Sequence, residues 1–266
     1  PKLISVLSDM MSYTFIVRAM IVGGLVALCS ALLGVSLVLK RYSMIGDGLS
    51  HVAFAALTIA VAMNVAPLYI STPIVTVAAI ILLRLSENSK IKGDSAIALI
   101  STVSIAIGVV VTALTKGMNT DVYSYMFGSI LAMSESDVYM SIALSVVVII
   151  LFVFFYNKIF AVTFDESFAK ATGTRADAYN MIIAVLTAIT IVVGMRIMGT
   201  MFPALISMRN FKTFKSVIIC SAIVSVVCFL LGIILSYLYS IPTGASIVLV
   251  NTVALILSYL IGELRH

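Results

Sequence analysis

The run Ser43-Met44-Ile45-Gly46-Asp47-Gly48-Leu49-Ser50-His51-Val52 sets a carboxylate and an imidazole four residues apart in an otherwise apolar stretch. On a helix that spacing brings Asp47 and His51 to one face. A carboxylate and an imidazole converging there form a half-site for a transition metal such as Zn²⁺ or Mn²⁺. Two structural readings stand beside this one. An aspartate about one turn into a helix also suits the helix N-terminus, and a histidine deeper in can donate to a neighbouring helix. D-x-x-x-H is a short pattern, and its weight comes from lying inside an apolar run, where an ionisable side chain is costly and marks function by default.

A second stretch, residues 157–175, has the pattern of a loop that carries its own helix at about 160–175. Asp165 and Glu166 supply an acidic first turn, Phe164, Phe168 and Ala171 recur at helical spacing, and Gly173 stands where a helix ends. A short amphipathic helix of this kind lies on lipid or docks into a partner's groove. Lys170 and Arg175 offer little attraction for anionic lipid, so docking is the favoured reading. Other polar residues read as packing. Arg196 can snorkel from a span end, and Ser101, Thr102, Ser104 and Asn251 can bond across helices or to their own backbone. Cys29, Cys220 and Cys228 lie in apolar runs with no CxxC and read as small core residues.

Composition says what must position these groups. Of 266 residues, 62% are hydrophobic and 10% charged, against about 45–50% and about 25% in soluble domains. Mean hydropathy is +1.22. The solvent must therefore be lipid, and because runs such as Ser141 to Phe155 are apolar on every side, the spans are helices and not barrel strands. The expected class is an all-α, polytopic transmembrane bundle of roughly eight to nine spans plus half-helices, forming one domain over residues 1–266. Candidate spans are Phe15–Leu39, Ser43–Met63, Pro67–Leu85, Ser95–Thr115, Asp137–Tyr156, Tyr179–Gly199, Ser216–Tyr239 and Thr243–Ile261. Tyr123–Met133 is too short to cross and reads as a re-entrant or half-helix. The first run is expected to stay as a helix, because Lys40-Arg41 follows its apolar core instead of preceding it.

The net charge of +5 comes from cations scattered over short connections, which report topology and not nucleic-acid binding. Clusters at Lys40 and Arg41, at Arg84, Lys90 and Lys92, at Lys158, Lys170 and Arg175, and at Arg209, Lys212 and Lys215 place those loops in the cytoplasm. The N-terminus is then outside and the C-terminus cytoplasmic. This scheme needs two crossings between Arg175 and Arg209, yet the second has about half the length a spanning helix requires. Residues Met201–Met208 are therefore expected to be a buried half-length element, unless a few turns native to this position are absent.

Several motifs together carry a family likeness. Lys40-Arg41-Tyr42-Ser43-Met44-Ile45-Gly46-Asp47-Gly48-Leu49-Ser50-His51 resembles the signature opening the second span in permeases of zinc and manganese ABC importers. In the same order follow Tyr125-Met126-Phe127-Gly128-Ser129-Ile130-Leu131, then Phe164-Asp165-Glu166-Ser167-Phe168-Ala169 with Gly173, then Pro242-Thr243-Gly244-Ala245-Ser246. The resemblance covers nearly the whole chain. It implies a homodimeric, multi-pass subunit of a bacterial cytoplasmic membrane, with no cofactor of its own beyond the transported metal. Asp47 and His51 would contact that metal. The loop helix, with Phe164, Asp165, Glu166, Phe168, Ala169 and Gly173, would dock on a separate cytoplasmic ABC ATPase, and an extracytoplasmic solute-binding protein would deliver the ion. The chain departs from the family in having only Thr200-Met201-Phe202 before Pro203, where members carry a longer apolar stretch. It also has Ser101 and Thr102 where many zinc-type members have histidines.

No G-x-x-x-x-G-K-[ST] loop, H-E-x-x-H or G-x-S-x-G occurs, so ATP hydrolysis is expected in another chain and not here. A permease for iron or a chelated metal, a proton-coupled secondary transporter and an intramembrane metalloenzyme are the alternatives. The secondary transporter leaves the loop helix unexplained, and the enzyme lacks a third ligand.

Overall fold

The computed structural model describes residues 11–40, 43–88, 93–115, 135–194 and 202–263. Among them the chain is helical with no strand: α1 (Thr14–Leu39), α2 (Ser43–Ala62), α3 (Pro67–Asn88), α4 (Gly93–Leu114), α5 (Glu135–Phe154), α6 (Tyr156–Phe164), α7 (Glu166–Ala171), α8 (Ala176–Gly194), α9 (Phe202–Asn210), α10 (Phe214–Tyr239) and α11 (Thr243–Glu263). Eight of these are long and apolar enough to span a membrane, at the eight places where the apolar runs predict spans. The half-helix expected at Tyr123–Met133, Arg196, and the charges at Arg41, Lys90, Lys92 and Lys116 lie outside the described residues.

Helix α8 is the hub. Its Ala184, Ala188 and Val192 join α2 and α3 in one buried apolar cluster, while Ile183 and Leu186 belong to a second with α1, α5 and α10. Val193 reaches a third, which holds Val22, Val26, Phe229, Ile233 and Ile247. A helix that is apolar all round can serve three neighbours at once. The small residues of α1 allow close approach to α10: a Cβ on Gly23 would sit 2.1 Å from Cζ of Phe229, and Ser225 Oγ donates to the carbonyl of Ala27 at 2.8 Å. By contrast, α4 shows Leu99, Val103, Val110 and Leu114 on its outside.

Several hydroxyls inside the spans are satisfied locally, while others, such as those of Ser36, Ser141 and Ser221, are buried without a hydrogen-bond partner among the described residues. Thr72, Thr76, Thr102 and Thr112 each donate to the carbonyl four residues back, as does the Asn251 amide to Ile247. Such back-bonding keeps polar side chains tolerable in lipid. Pro73 lies within α3, where its missing N–H leaves the Tyr69 carbonyl without its usual donor.

The stretch expected to be half-length contains the nine-residue helix α9, about 14 Å long. Pro203, Ala204, Ile206 and Ser207 are buried, and α9 packs on α1, α10 and α11. Arg209 fastens its end: the guanidinium lies 4.1 Å over the ring of Tyr259 and donates to that residue's carbonyl at 3.3 Å. Residues 195–201, which bear on how the chain arrives there, lie outside the described residues.

Candidate functional site

Helix α2 carries the ionisable pair. Nε2 of His51 lies 3.8 Å from Oδ2 of Asp47, with the aspartate side chain 62% exposed and the histidine 24%. The helix is held by close packing on α4 at Gly48, where a Cβ would come 2.8 Å from Cγ2 of Ile97 and 3.4 Å from Oγ of Ser101. Ser50 turns inward on its own helix, donating to the Asp47 carbonyl at 2.6 Å. Two donors each about 2.1 Å from one ion at a tetrahedral angle stand about 3.4 Å apart. The observed separation is close to that, so a small side-chain rotation lets both reach one metal. Among the described residues no group of three or more His, Cys, Asp and Glu converges. Within this chain Asp47 and His51 are thus two candidate ligands with no third beside them among the described residues.

The loop helix is built differently from the sequence expectation. The acidic first turn expected at Asp165 and Glu166 and the stop expected at Gly173 are those of α7, but the part of the expected 160–175 helix before them belongs to a separate helix, α6, and Asp165 is the reason. Its backbone is extended, at φ −147 and ψ 95, and its side chain accepts from the Phe168 N–H as the N-cap of α7. One residue thus ends α6 and starts α7. Gly173, at φ +81, makes the left-handed turn that terminates the element.

Of the residues expected to act together here, Phe164 and Phe168 are exposed at 59% and 66%. Ala169 points the other way, buried with Val162 and Ala176. The ring of Phe164 leans on Phe160 and Phe214, with centroids 4.9 and 5.9 Å apart. Phe168 is left as the outermost apolar group of α7.

Glu166 looks inward, into a polar cluster that sequence reasoning did not anticipate. Its Oε2 accepts from Lys40 Nζ at 3.3 Å and from Asn180 Nδ2 at 3.1 Å. Its Oε1 meets Lys170 Nζ at 3.0 Å, and Lys170 also reaches Asp177 at 3.0 Å. Lys40 Nζ donates in addition to Asn180 Oδ1. Partial burial opposes ionisation of Glu166, but the donors from Asn180 and Lys170 and the charge of Lys40 outweigh it, and the carboxyl is held down at about 2. Lys170 is pushed up by Asp177 first and Glu166 second. The Glu166–Lys170 spacing is visible in the sequence as a helical i, i+4 pair. Lys40 and Asn180 are 126 and 14 residues away, and nothing local announces them.

Eight apolar helices of spanning length, one of them holding a carboxylate–imidazole pair, define a multi-pass membrane protein with the features of a transport permease. The model of the ABC 3 transport family matches residues 12–262, and the chain belongs to that family. It is 26% identical over 259 residues to the manganese transport system membrane protein MntC of Halalkalibacterium halodurans, covering 94% of this chain and 88% of that protein. It is 27% identical over 249 residues to the high-affinity zinc uptake system membrane protein ZnuB of Haemophilus influenzae, covering 90% and 95%. Among solved structures, PsaBC from Streptococcus pneumoniae in complex with Fab aligns with TM-score 0.86 at 25% identity, over 97% of this chain and 95% of that one.

Proposed function

We propose that this chain is the membrane-spanning subunit of an ATP-driven importer of manganese or zinc, working as a homodimer with a separate ATPase. The observation that carries the reading is the 3.8 Å approach of Asp47 and His51 on one face of a spanning helix. A divalent ion held by one carboxylate keeps a net positive charge. Two such pairs, one from each copy, supply four ligands and cancel that charge, which makes a second copy the natural source of the other half. A carboxylate and an imidazole suit both metals, and relatives of this chain are named for each.

The orientation follows from the cations at Lys158, Lys170 and Arg175 beside α7, which put that helix in the cytoplasm. There the exposed Phe164 and Phe168 are the apolar contacts an ATPase groove would take. A solute-binding protein would deliver the ion at the opposite face. The test is uptake of radiolabelled manganese and zinc into vesicles holding the permease with its ATPase. Asp47→Ala and His51→Ala should each abolish uptake while the complex still assembles. Normal uptake by His51→Ala would overturn the assignment, and uptake by the permease without any ATPase would favour a secondary transporter.

A further inference from the structure

We infer that Lys40 is a positioning residue for transport, bridging Glu166 of α7 and Asn180 of α8 where α1 hands over to α2, so that the start of the metal-bearing helix moves with the docking helix. The inference rests on the reading above, in which α7 meets an ATPase and α2 carries the metal pair.

The side chain of Lys40 is 6% exposed, and lysine is almost never so buried unless paired. Two of its partners, Glu166 and Asn180, come from elements distant in sequence. Its own backbone closes α1, donating to the Ser36 carbonyl at 3.0 Å. Only residues 41 and 42 separate it from Ser43, the first residue of α2, and a chain that short reaches at most about 11 Å between Lys40 and Ser43. The tether limits how far the start of α2 can part from Lys40 when Lys40 moves.

Helix α7 is six residues long and Ala169 is its one buried residue; beside the Ala169 contact with α6 and α8 and the Lys170–Asp177 pair, the polar bridge from Glu166 is what ties it to α1. Asn180 accepts from Lys40 and donates to Glu166, which orders all three groups. With the Lys40 side chain and Asn180 buried and Glu166 half-buried, a satisfied polar cluster of this kind is stiff, and stiffness is what a transmission joint needs. Asp47 follows seven residues after Lys40, one turn into α2.

The test uses the permease reconstituted with its ATPase and compares wild type, Lys40→Met and Lys40→Arg for ATP hydrolysed and metal taken up. Lys40→Met keeps the stem and removes the charge. It should still assemble and hydrolyse ATP, with uptake per ATP reduced about ten-fold or more, and Lys40→Arg should restore most of it. Unchanged uptake per ATP in Lys40→Met would overturn the joint. Should Lys40→Met fail to assemble, a second measurement decides on an otherwise wild-type chain whose three cysteines are replaced by alanine. Spin labels at Met44→Cys and Ser167→Cys should keep one separation through the nucleotide cycle, and a separation that changes would overturn the joint. If wild type shows no ATP-driven uptake, the proposed function itself fails and removes the premise of the joint with it.

Discussion

Adjacent glycines in α1 separate packing from helix propensity. A Cβ on Gly23 would lie 2.1, 2.3 and 3.0 Å from three ring atoms of Phe229, whereas one on Gly24 would meet nothing within 4 Å. Carbon atoms rest at about 3.5–4.0 Å, so Gly23→Ala must push the ring by well over an ångström. Phe229 is 1% exposed and packed with Val22, Val26 and Ile233, so no space waits for it. Overpacking of this kind costs about 1–3 kcal/mol. Both substitutions gain about 0.5–1 kcal/mol from replacing glycine within a helix. Gly24→Ala should therefore be neutral or slightly stabilising, and Gly23→Ala should fall below it by about 1–3 kcal/mol, or about 2–10 °C in melting temperature for a chain of this size. Buried Cys29 and Cys228 supply the assay, because a thiol-reactive fluorophore reports their exposure as detergent-solubilised protein is heated. Equal melting temperatures for the two variants would refute the contact between α1 and α10.

Asp165→Ala removes the N-cap of α7 and should cost about 0.5–2 kcal/mol, read as faster proteolysis between residues 157 and 175 with the spans unaffected. Because the Glu166 carboxyl lies at about 2 in the folded chain, below its ordinary 4.5, its contribution is complete above about 4.5 and is lost as pH falls through about 2. Protease resistance of the loop should thus hold from pH 7 to pH 5 and decline in more acidic buffer, and Glu166→Gln should flatten that decline. Arg209→Leu, which gives up the Tyr259 ring and carbonyl contacts, should loosen α9 from α11 and raise the labelling rate of a cysteine placed at Asn210.

The spans were legible because about twenty apolar residues in a row have one interpretation in lipid, and Asp47 with His51 because a four-residue spacing fixes a shared helical face. Gly23, Ala27 and Ala31 recur four apart, a spacing of small residues that lets helices approach closely in lipid, but nothing in it names α10 as the partner. What escaped was tertiary. Lys40 and Arg209 read as topological charges, and only folding brings Glu166, Asn180 and Tyr259 to them. Phe164, Phe168 and Ala171 traced the outer face of the loop helix correctly, but the break at Asp165 and the inward turn of Ala169 depend on the cap and on what α6 and α8 offer for packing. The acidic pair marked where α7 begins to within a residue, since such a residue suits a first turn and a cap alike, but no local signal marked α6 as a separate helix ending there.

Helix α9 has a consequence for how the protein is made. Nine residues reach about half the hydrocarbon thickness, too short for insertion machinery to recognise as a span while the nascent chain emerges. The surfaces that shelter it belong to α1, α10 and α11, and two of those are synthesised afterwards. Residues 202–210 are therefore expected to enter together with later helices, so that the order of translation and the order of insertion part company at this point. A nascent chain stalled with α9 just clear of the ribosomal exit tunnel and α10 still inside it should leave α9 reachable by water-soluble reagents, and the released chain should not.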